Sequence, residues 1–465
     1  MIPLRADEIV SSTGGVLMYG SNDTRVKGVS IDSRTVAFGD LFIPLKGITD
    51  GHAYIADAIR AGAAGFLIER GTIAAGMKPP AGALFAVEVA DTLRAFQEIA
   101  KYYRTKLRAT VVGITGSTGK TTTKDMLACL LATSMKAVST AKNYNNEIGV
   151  PLTILEADSE TSVLVIEMAM RGPGQIEELA GIAMPHIGVV TNIGEAHIEL
   201  LGSQEEIARA KAELIEAIPP EGVTILNADC VWSTSISERT PARMVTYGIA
   251  GGDVRASGID VDQLGRAVFR LTIDDPSGYL VRLAVPGRHN VYNALAAIAA
   301  GLELGLRIDD MRLALAECKP SSMRMEVISV EPDVLILNDA YNANPVSMLA
   351  ALSTLMDVEA KGRRIAVLGD MLELGHISAD AHRQIGEAVA TLGADILVAV
   401  GTESQQMAEA AVRSGMGHKA VIACANADTA AQVLGQLVME RDVVLVKASR
   451  GMGLEKVVES LVAQE

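Results

Sequence analysis

The chain has 465 residues, 49% of them hydrophobic and only 3% aromatic, with a formal net charge of −15. One core does not serve such a length; at about 150 residues per domain it implies roughly three. The acidic balance argues against a nucleic-acid binder, which needs a basic surface to meet phosphate. The longest apolar stretch, Ala294 to Leu306, is interrupted by Glu303, so it does not read as a membrane span.

In chain order, a first block (residues 1–89) mixes the short β-like runs LFIPL and GFLIE with glycine-rich turns and an Ala-rich helix near Tyr54 to Ala61. A helix is expected from Asp91 as N-cap, with Leu93, Phe96 and Ile99 at helical spacing, and it opens the second block (90–320). There the strand ATVVGIT is followed by a glycine-rich turn and a helix, then by the buried-type runs TSVLVIEM, HIGVVTNI and GVTILNA with helical segments between them. Such alternation means a parallel sheet with right-handed crossovers. From Arg243 to Pro286 the pattern turns β-rich and reads as an antiparallel appendage, closed by a helix after Gly287. The third block (321–465) alternates again through DVLILNDA, RRIAVLGDM, DILVAVG, AVIACAN and DVVLVKAS, a second doubly wound, Rossmann-like sheet. The predicted fold class is therefore α/β in three domains, the central one built on a parallel sheet.

The four cysteines, Cys129, Cys230, Cys318 and Cys424, form no CxxC or Cys/His cluster, so neither zinc nor disulfides are expected and a reducing compartment fits. The opening MIPLRADEIV lacks the apolar core of a signal peptide, and a cytoplasmic location follows as the expectation.

The segment Gly113-Ile-Thr-Gly116-Ser117-Thr118-Gly119-Lys120-Thr121-Thr122 lies between a strand and a helix, the setting of a P-loop. Its glycines allow backbone N–H groups to turn onto phosphate oxygens, and the helix N-terminus adds positive potential. Lys120 would reach the β- and γ-phosphates of ATP, and the Thr121 hydroxyl would join a Mg²⁺ shell. The strict pattern wants a glycine where Ile114 stands; here the glycines fall at 113, 116 and 119. A Rossmann dinucleotide reading fails, because GxGxxG is not matched.

Glu167 ends the run VLVIE, at the carboxyl end of a strand, where open α/β sheets bind ligands; it suits a second magnesium, though a structural glutamate reads equally well. His197 follows another strand and reads as a metal ligand, an orienting group or a structural histidine. Lys211, in IARAKAELI, has nothing in its local pattern to distinguish it from a solvated lysine.

These motifs together resemble a family. TGSTGKTTTK, NNEIGVPLT, the strand-end Glu167, TNIGEAHIELLGS and the IAxAKxE stretch resemble the Mur ligases in content, order and spacing, and GVSIDSRTVAFGDLFIPLKGITDGH resembles their UDP-sugar-binding domain. The likeness runs from about Val26 to Val457. In the third block, DAYNANPVS, LGDMLELG and VKASRGMGLE resemble the members that add D-alanyl-D-alanine, and the DNPR signature of those adding a dibasic amino acid is absent.

The resemblance implies an ATP-dependent amide-bond ligase of peptidoglycan precursor synthesis, acting on UDP-N-acetylmuramoyl-tripeptide and D-alanyl-D-alanine, monomeric, with two Mg²⁺ ions. It implies that Gly116, Ser117, Thr118, Gly119, Lys120, Thr121 and Thr122 hold phosphate and magnesium, and that Glu167 and His197 bind a second magnesium. Lys211 resembles the lysine that family members carbamylate with CO₂. Asn146, Asn290 and Asn293 resemble nucleotide contacts, with Arg324 and Asp339 on phosphate and ribose. Ser33, Arg34, Lys46 and Gly47 fall in loops that would hold the UDP-sugar; Asn342, Asn344, Lys447, Ser449 and Arg450 are candidates for the dipeptide side. Two positions depart from the family pattern: Met323 stands before Arg324 where glycine is common, and Cys230 replaces a second acid. The alternatives are a Mur ligase adding another amino acid, a P-loop ATPase or kinase, and a non-catalytic UDP-sugar-binding protein.

Overall fold

The computed structural model describes residues 1–72, 80–195, 198–273 and 277–463. The chain divides into two compact units, residues 1–113 with 135–169 and 176–186, and residues 114–134 with 170–175 and 187–465.

In the first unit, five strands lie in the order Val16–Tyr19, Phe85–Val89, Gly65–Glu69, Asp40–Phe42, Gly28–Ser30. Only the first pair is antiparallel. Phe42, Phe66 and Ile68 from the strands meet Ile55, Ala58 and Ile59 of the helix Ile55–Ala61 to make its core. The helix expected after Asp91 runs Thr92–Lys106, with the Asp91 carboxylate accepting the Arg94 N–H at 2.7 Å, an N-cap that satisfies one orphan donor. The same unit holds the parallel pair Ala137–Ser139 and Val163–Glu167; VLVIE is buried at every position, as its unbroken apolar run requires of a strand covered on both faces.

In the second unit, six strands follow one another in the order Tyr279–Pro286, Arg266–Thr272, Val254–Val261, Arg243–Gly248, Val223–Asn227, Ile187–Val190. The β-rich stretch extends the edge of this sheet. Its last three strands are antiparallel, as their alternating burial predicts, whereas Arg243–Gly248 runs parallel to Val223–Asn227. The helix Lys120–Leu131 packs on the Ala-rich helix Asn290–Glu303, whose small side chains permit a close approach.

The third block forms a six-stranded sheet in the order Glu326–Val330, Val334–Asn338, Val443–Lys447, Arg364–Gly369, Ile396–Val400, Val421–Cys424. Five of the strands match the sequence expectation. The sixth, Glu326–Val330, pairs antiparallel with its neighbour; EVISV is only half-buried, so its apolar signal is weak. Among the described residues, no helix is long and apolar enough to cross a membrane.

Candidate active site

Between Thr115, which ends its strand, and Lys120, which starts its helix, the chain folds back on itself over four residues. Gly116 takes φ +149° and Gly119 φ +80°; a Cβ at Gly116 would lie 1.8 Å from Thr191 Oγ1, and one at Gly119 2.2 Å from Asn293 Oδ1. Both positions therefore need glycine, for backbone angle and for space. The loop is fastened to the turn after Ile187–Val190. Thr118 N–H donates to Asn192 Oδ1 at 2.9 Å, Ser117 N–H to the Asn192 carbonyl at 3.0 Å, Gly194 N–H to Ser117 Oγ at 2.9 Å, and Thr191 Oγ1 to the Thr118 carbonyl at 2.6 Å. The Lys120 ammonium reaches back over the loop to the Gly116 carbonyl at 2.7 Å. Ser117, Thr118, Asn192, Asn227, Asp229, Asn344 and Val346 line a cavity of about 270 Å³ beside this turn.

Asn290 and Asn293 stand behind the loop, both buried. Asn293 Nδ2 donates to Asn290 Oδ1 at 2.8 Å, and Asn290 Nδ2 to the Pro286 carbonyl at 2.6 Å. Their amides thus brace the first turn of one helix on the end of the strand before it, and Asn293 Oδ1 accepts the Thr123 hydroxyl at 3.5 Å. Lys211, on the helix Gln204–Glu216, is only 2% exposed; burial, reinforced by the Lys120 ammonium, pushes its pKa well below the ordinary lysine value. A solvated helix face is excluded for it.

Arg324 Nη2 donates to Thr121 Oγ1 at 3.1 Å, and its guanidinium lies 3.8 Å over the ring of Tyr341. Met323 takes φ +60°, which explains why a glycine suits that position. Asp339 accepts the Met325 N–H at 3.1 Å and pairs with the buried Lys447, whose ammonium also donates to the Asn342 carbonyl at 2.9 Å. Ser449 is fastened to the loop after the strand Arg364–Gly369: its hydroxyl accepts the Leu372 N–H at 2.8 Å, and its N–H donates to the Asp370 carbonyl at 3.1 Å. Asn344 caps the helix Pro345–Asp357 through the Ser347 N–H at 2.9 Å. Arg450 is more exposed and pairs with Glu455 at 3.1 Å.

In the first unit, the Glu167 carboxylate is 2% exposed and accepts the Asn145 side-chain amide at 2.7 Å; its own N–H donates to Thr140 Oγ1 at 2.9 Å. Asn146 is exposed, its side-chain oxygen capping the turn into Gly149–Glu156 through the Gly149 N–H at 3.0 Å. Ser33 and Arg34 share a turn in which Arg34 grips Asp32 in a fork, holding the Asp32 carboxyl down to about 2. The exposed Lys46 forms an ion pair with Glu69 next to Gly47. His197 lies outside the described residues. Among the described residues, no group of three or more His, Cys, Asp or Glu side chains is gathered to hold a metal.

Sequence reasoning missed Asn192, Thr191, Asn145 and Tyr341. The first two sit in the quoted TNIGEAH motif and Asn145 in NNEIG, but their part is to hold the loop or Glu167, which shows only once strands lie side by side.

A nucleotide-phosphate cradle at the carboxyl edge of a parallel sheet, with a buried lysine beside it, defines an ATP-using α/β enzyme. The Mur ligase middle domain matches residues 114–301, the Mur ligase glutamate ligase domain 323–450 and the Mur ligase family catalytic domain 25–104. The chain belongs to the Mur ligase family. It is 36% identical to the UDP-N-acetylmuramoyl-tripeptide–D-alanyl-D-alanine ligase of Bacillus subtilis strain 168, over 94% of each chain. With the ligase of the same name from Escherichia coli K12 it shares 36% over 99% of each. Among solved structures, MurF from Acinetobacter baumannii superposes with TM-score 0.86 at 31% identity, covering 99% of each chain. MurF ligase from Thermotoga maritima in complex with ADP gives 0.81 at 29%, covering 94% of this chain and 98% of that one.

Proposed function

We propose that the protein joins D-alanyl-D-alanine to UDP-N-acetylmuramoyl-tripeptide with cleavage of ATP to ADP and phosphate, in peptidoglycan precursor synthesis. The observation that carries this reading is the end-to-end likeness to ligases named for that reaction, at 36% identity over 99% of the chain. A carboxylate is a poor electrophile at neutral pH. The γ-phosphoryl of ATP passes to the tripeptide carboxylate, and the acyl phosphate so formed is attacked by the neutral amine of the dipeptide. The tetrahedral adduct expels phosphate as the amide forms. Lys120 and the backbone N–H groups at the start of the helix Lys120–Leu131 hold the phosphates and offset the charge that spreads in transfer.

The donor chemistry fits magnesium: the Thr121 hydroxyl and the Glu167 carboxylate are hard oxygen ligands, with His197 the third candidate. Two bound Mg²⁺ ions would screen the repulsion between ATP and the tripeptide carboxylate. An unmodified Lys211 is a poor companion for them. Its buried ammonium is disfavoured beside Lys120, whereas the neutral amine adds CO₂ and loses one proton to give a carbamate, an anion that Lys120 stabilises. Asn146, Asn290, Asn293, Arg324 and Asp339 serve the nucleotide, with Thr122 beside the phosphates. Ser33, Arg34, Lys46 and Gly47 hold the UDP-sugar, and Asn342, Asn344, Lys447, Ser449 and Arg450 the dipeptide. The working domains are residues 1–89, 90–320 and 321–465 of a cytoplasmic monomer.

The test is an ADP-release assay with UDP-N-acetylmuramoyl-tripeptide, ATP, magnesium and a panel of acceptors. Release that requires D-alanyl-D-alanine and not diaminopimelate, lysine or glutamate is expected. Turnover without acceptor, or with another one, would overturn the reading.

A further inference from the structure

We propose that Asp125 is a positioning residue for ATP use, fastening the linker that opens the third block to the phosphate-loop helix so that Arg324 stands over Thr121. The inference rests on the reading of Arg324 as a phosphate contact. Asp125 lies four residues beyond Thr121 on the helix Lys120–Leu131, so the two share a face. Its Oδ2 accepts the Ser321 hydroxyl at 2.6 Å and the Ser321 N–H at 3.2 Å, while Oδ1 pairs with Lys124 at 2.6 Å. Three residues after Ser321, the Arg324 guanidinium reaches Thr121 at 3.1 Å.

The segment between is a zigzag that needs holding. Met323 and Met325 take φ +60° and +53° on either side of Arg324, a conformation that non-glycine residues adopt only when their surroundings impose it. On the side of the third block, Glu326 Oε2 accepts Ser322 Oγ at 3.1 Å, Met323 N–H at 3.0 Å and Asn338 Nδ2 at 3.2 Å, and the Tyr341 ring backs the guanidinium. Glu326 thus sets the shape of the linker. Asp125 sets where that shape sits relative to the phosphate loop. With about 3.3 Å of chain per residue, releasing Ser321 frees Arg324 to move by several ångströms, enough to lose Thr121 and a phosphate nearby.

The experiment measures steady-state ADP release by the full-length protein at varied ATP, for Asp125→Ala, Asp125→Asn, Ser321→Ala, Arg324→Ala and the double variant Asp125→Ala/Arg324→Ala. We expect Asp125→Ala to raise KM for ATP about tenfold, as loss of a charge-assisted pair of hydrogen bonds would, with kcat within about threefold. Asp125→Asn, which keeps an acceptor for Ser321, and Ser321→Ala, which keeps the backbone bond, are expected to fall in between. In the Arg324→Ala background the Asp125 change should add less than about twofold, because both act on one contact. An equal multiplication of KM with and without Arg324, or a fall in kcat at unchanged KM, overturns the proposal while leaving Arg324 its role. A wild-type KM in Arg324→Ala removes the phosphate contact itself, and the proposal with it. Should Asp125→Ala not fold, Asp125→Asn and Ser321→Ala read the same cycle.

Discussion

The Lys120 ammonium donates to the carbonyl of Gly116, four residues earlier, at 2.7 Å. The lysine thus lies across the proposed phosphate loop, and a triphosphate bound there would take the place of that carbonyl as its partner. Replacing Lys120 by Ala is expected to cut ATP-dependent phosphate release by about 10²–10³-fold, the usual effect of removing one preorganised charge-stabilising group, with the far-ultraviolet circular dichroism unchanged. Near-normal release would remove the phosphate-loop assignment.

Lys211 carries a prediction with a definite pH sign. Its folded-state pKa lies well below the ordinary 10.5, because of burial first and Lys120 second. Between the folded value and 10.5 the unfolded chain holds a proton that the folded one does not, so in that window stability rises with pH. Below the folded value the buried ammonium carries its full penalty. Lys211→Met should therefore melt no lower than the wild type in CO₂-free buffer at neutral pH, while activity falls about 100-fold. Wild-type protein under ¹³CO₂ should show a carbamate carbon signal that acidification removes. In Lys211→Ala, short carboxylates such as acetate should restore part of the activity. No signal and no rescue would leave the residue unmodified.

Glycine substitutions separate the loop from ordinary turns. Gly116→Ala and Gly119→Ala put a methyl group 1.8 Å and 2.2 Å from Thr191 and Asn293 side-chain oxygens, at positive φ in both cases. Each should cost about 2 kcal/mol or more of stability and abolish binding of a non-hydrolysable ATP analogue. Gly181→Ala is the control: it sits inside the helix Gln175–Ala183 with nothing within 4 Å of its added Cβ, and should gain about 0.5–1 kcal/mol. Calorimetry and analogue titration check all three; an equal loss in the control would mean that the loop is not special.

The buried Lys447 ties Asp339 to the Asn342 carbonyl, so one cation supports both the proposed ribose contact and the proposed dipeptide loop. Lys447→Met leaves the Asp339 carboxylate without its partner, a change worth about 3–5 kcal/mol when an ion pair is fully buried and less here, where Asp339 is part-exposed. KM should rise several-fold for ATP and for D-alanyl-D-alanine together. A rise for the dipeptide alone would place Lys447 in direct contact with it.

Much of this was readable along the chain. The strand–glycine–lysine–helix order announces a phosphate site because the chemistry is local: a turn, its N–H groups and one helix end, all within ten residues. Glu167 is likewise marked by its place at the end of an unbroken apolar run. Lys211 is not, since its neighbours in sequence are those of any amphipathic helix and only packing reveals its burial. The strand Glu326–Val330 escaped for a similar reason, having half-buried positions and a partner that supplies most of its pairing.

Sequence alone determined the α/β character, the glycine–lysine turn between a strand and a helix and the likeness to the Mur ligases, because these are written in periodicities and motifs that act over short stretches. Tertiary structure decided the rest: that Asn192 and Thr191 hold the loop before Lys120, that Lys211 is buried where its charged form is disfavoured, and that Asp125 grips Ser321 ahead of Arg324. Those relations join residues from about 70 to 200 positions apart, and their energies depend on burial and on hydrogen-bond geometry. Neither quantity exists until the chain has folded.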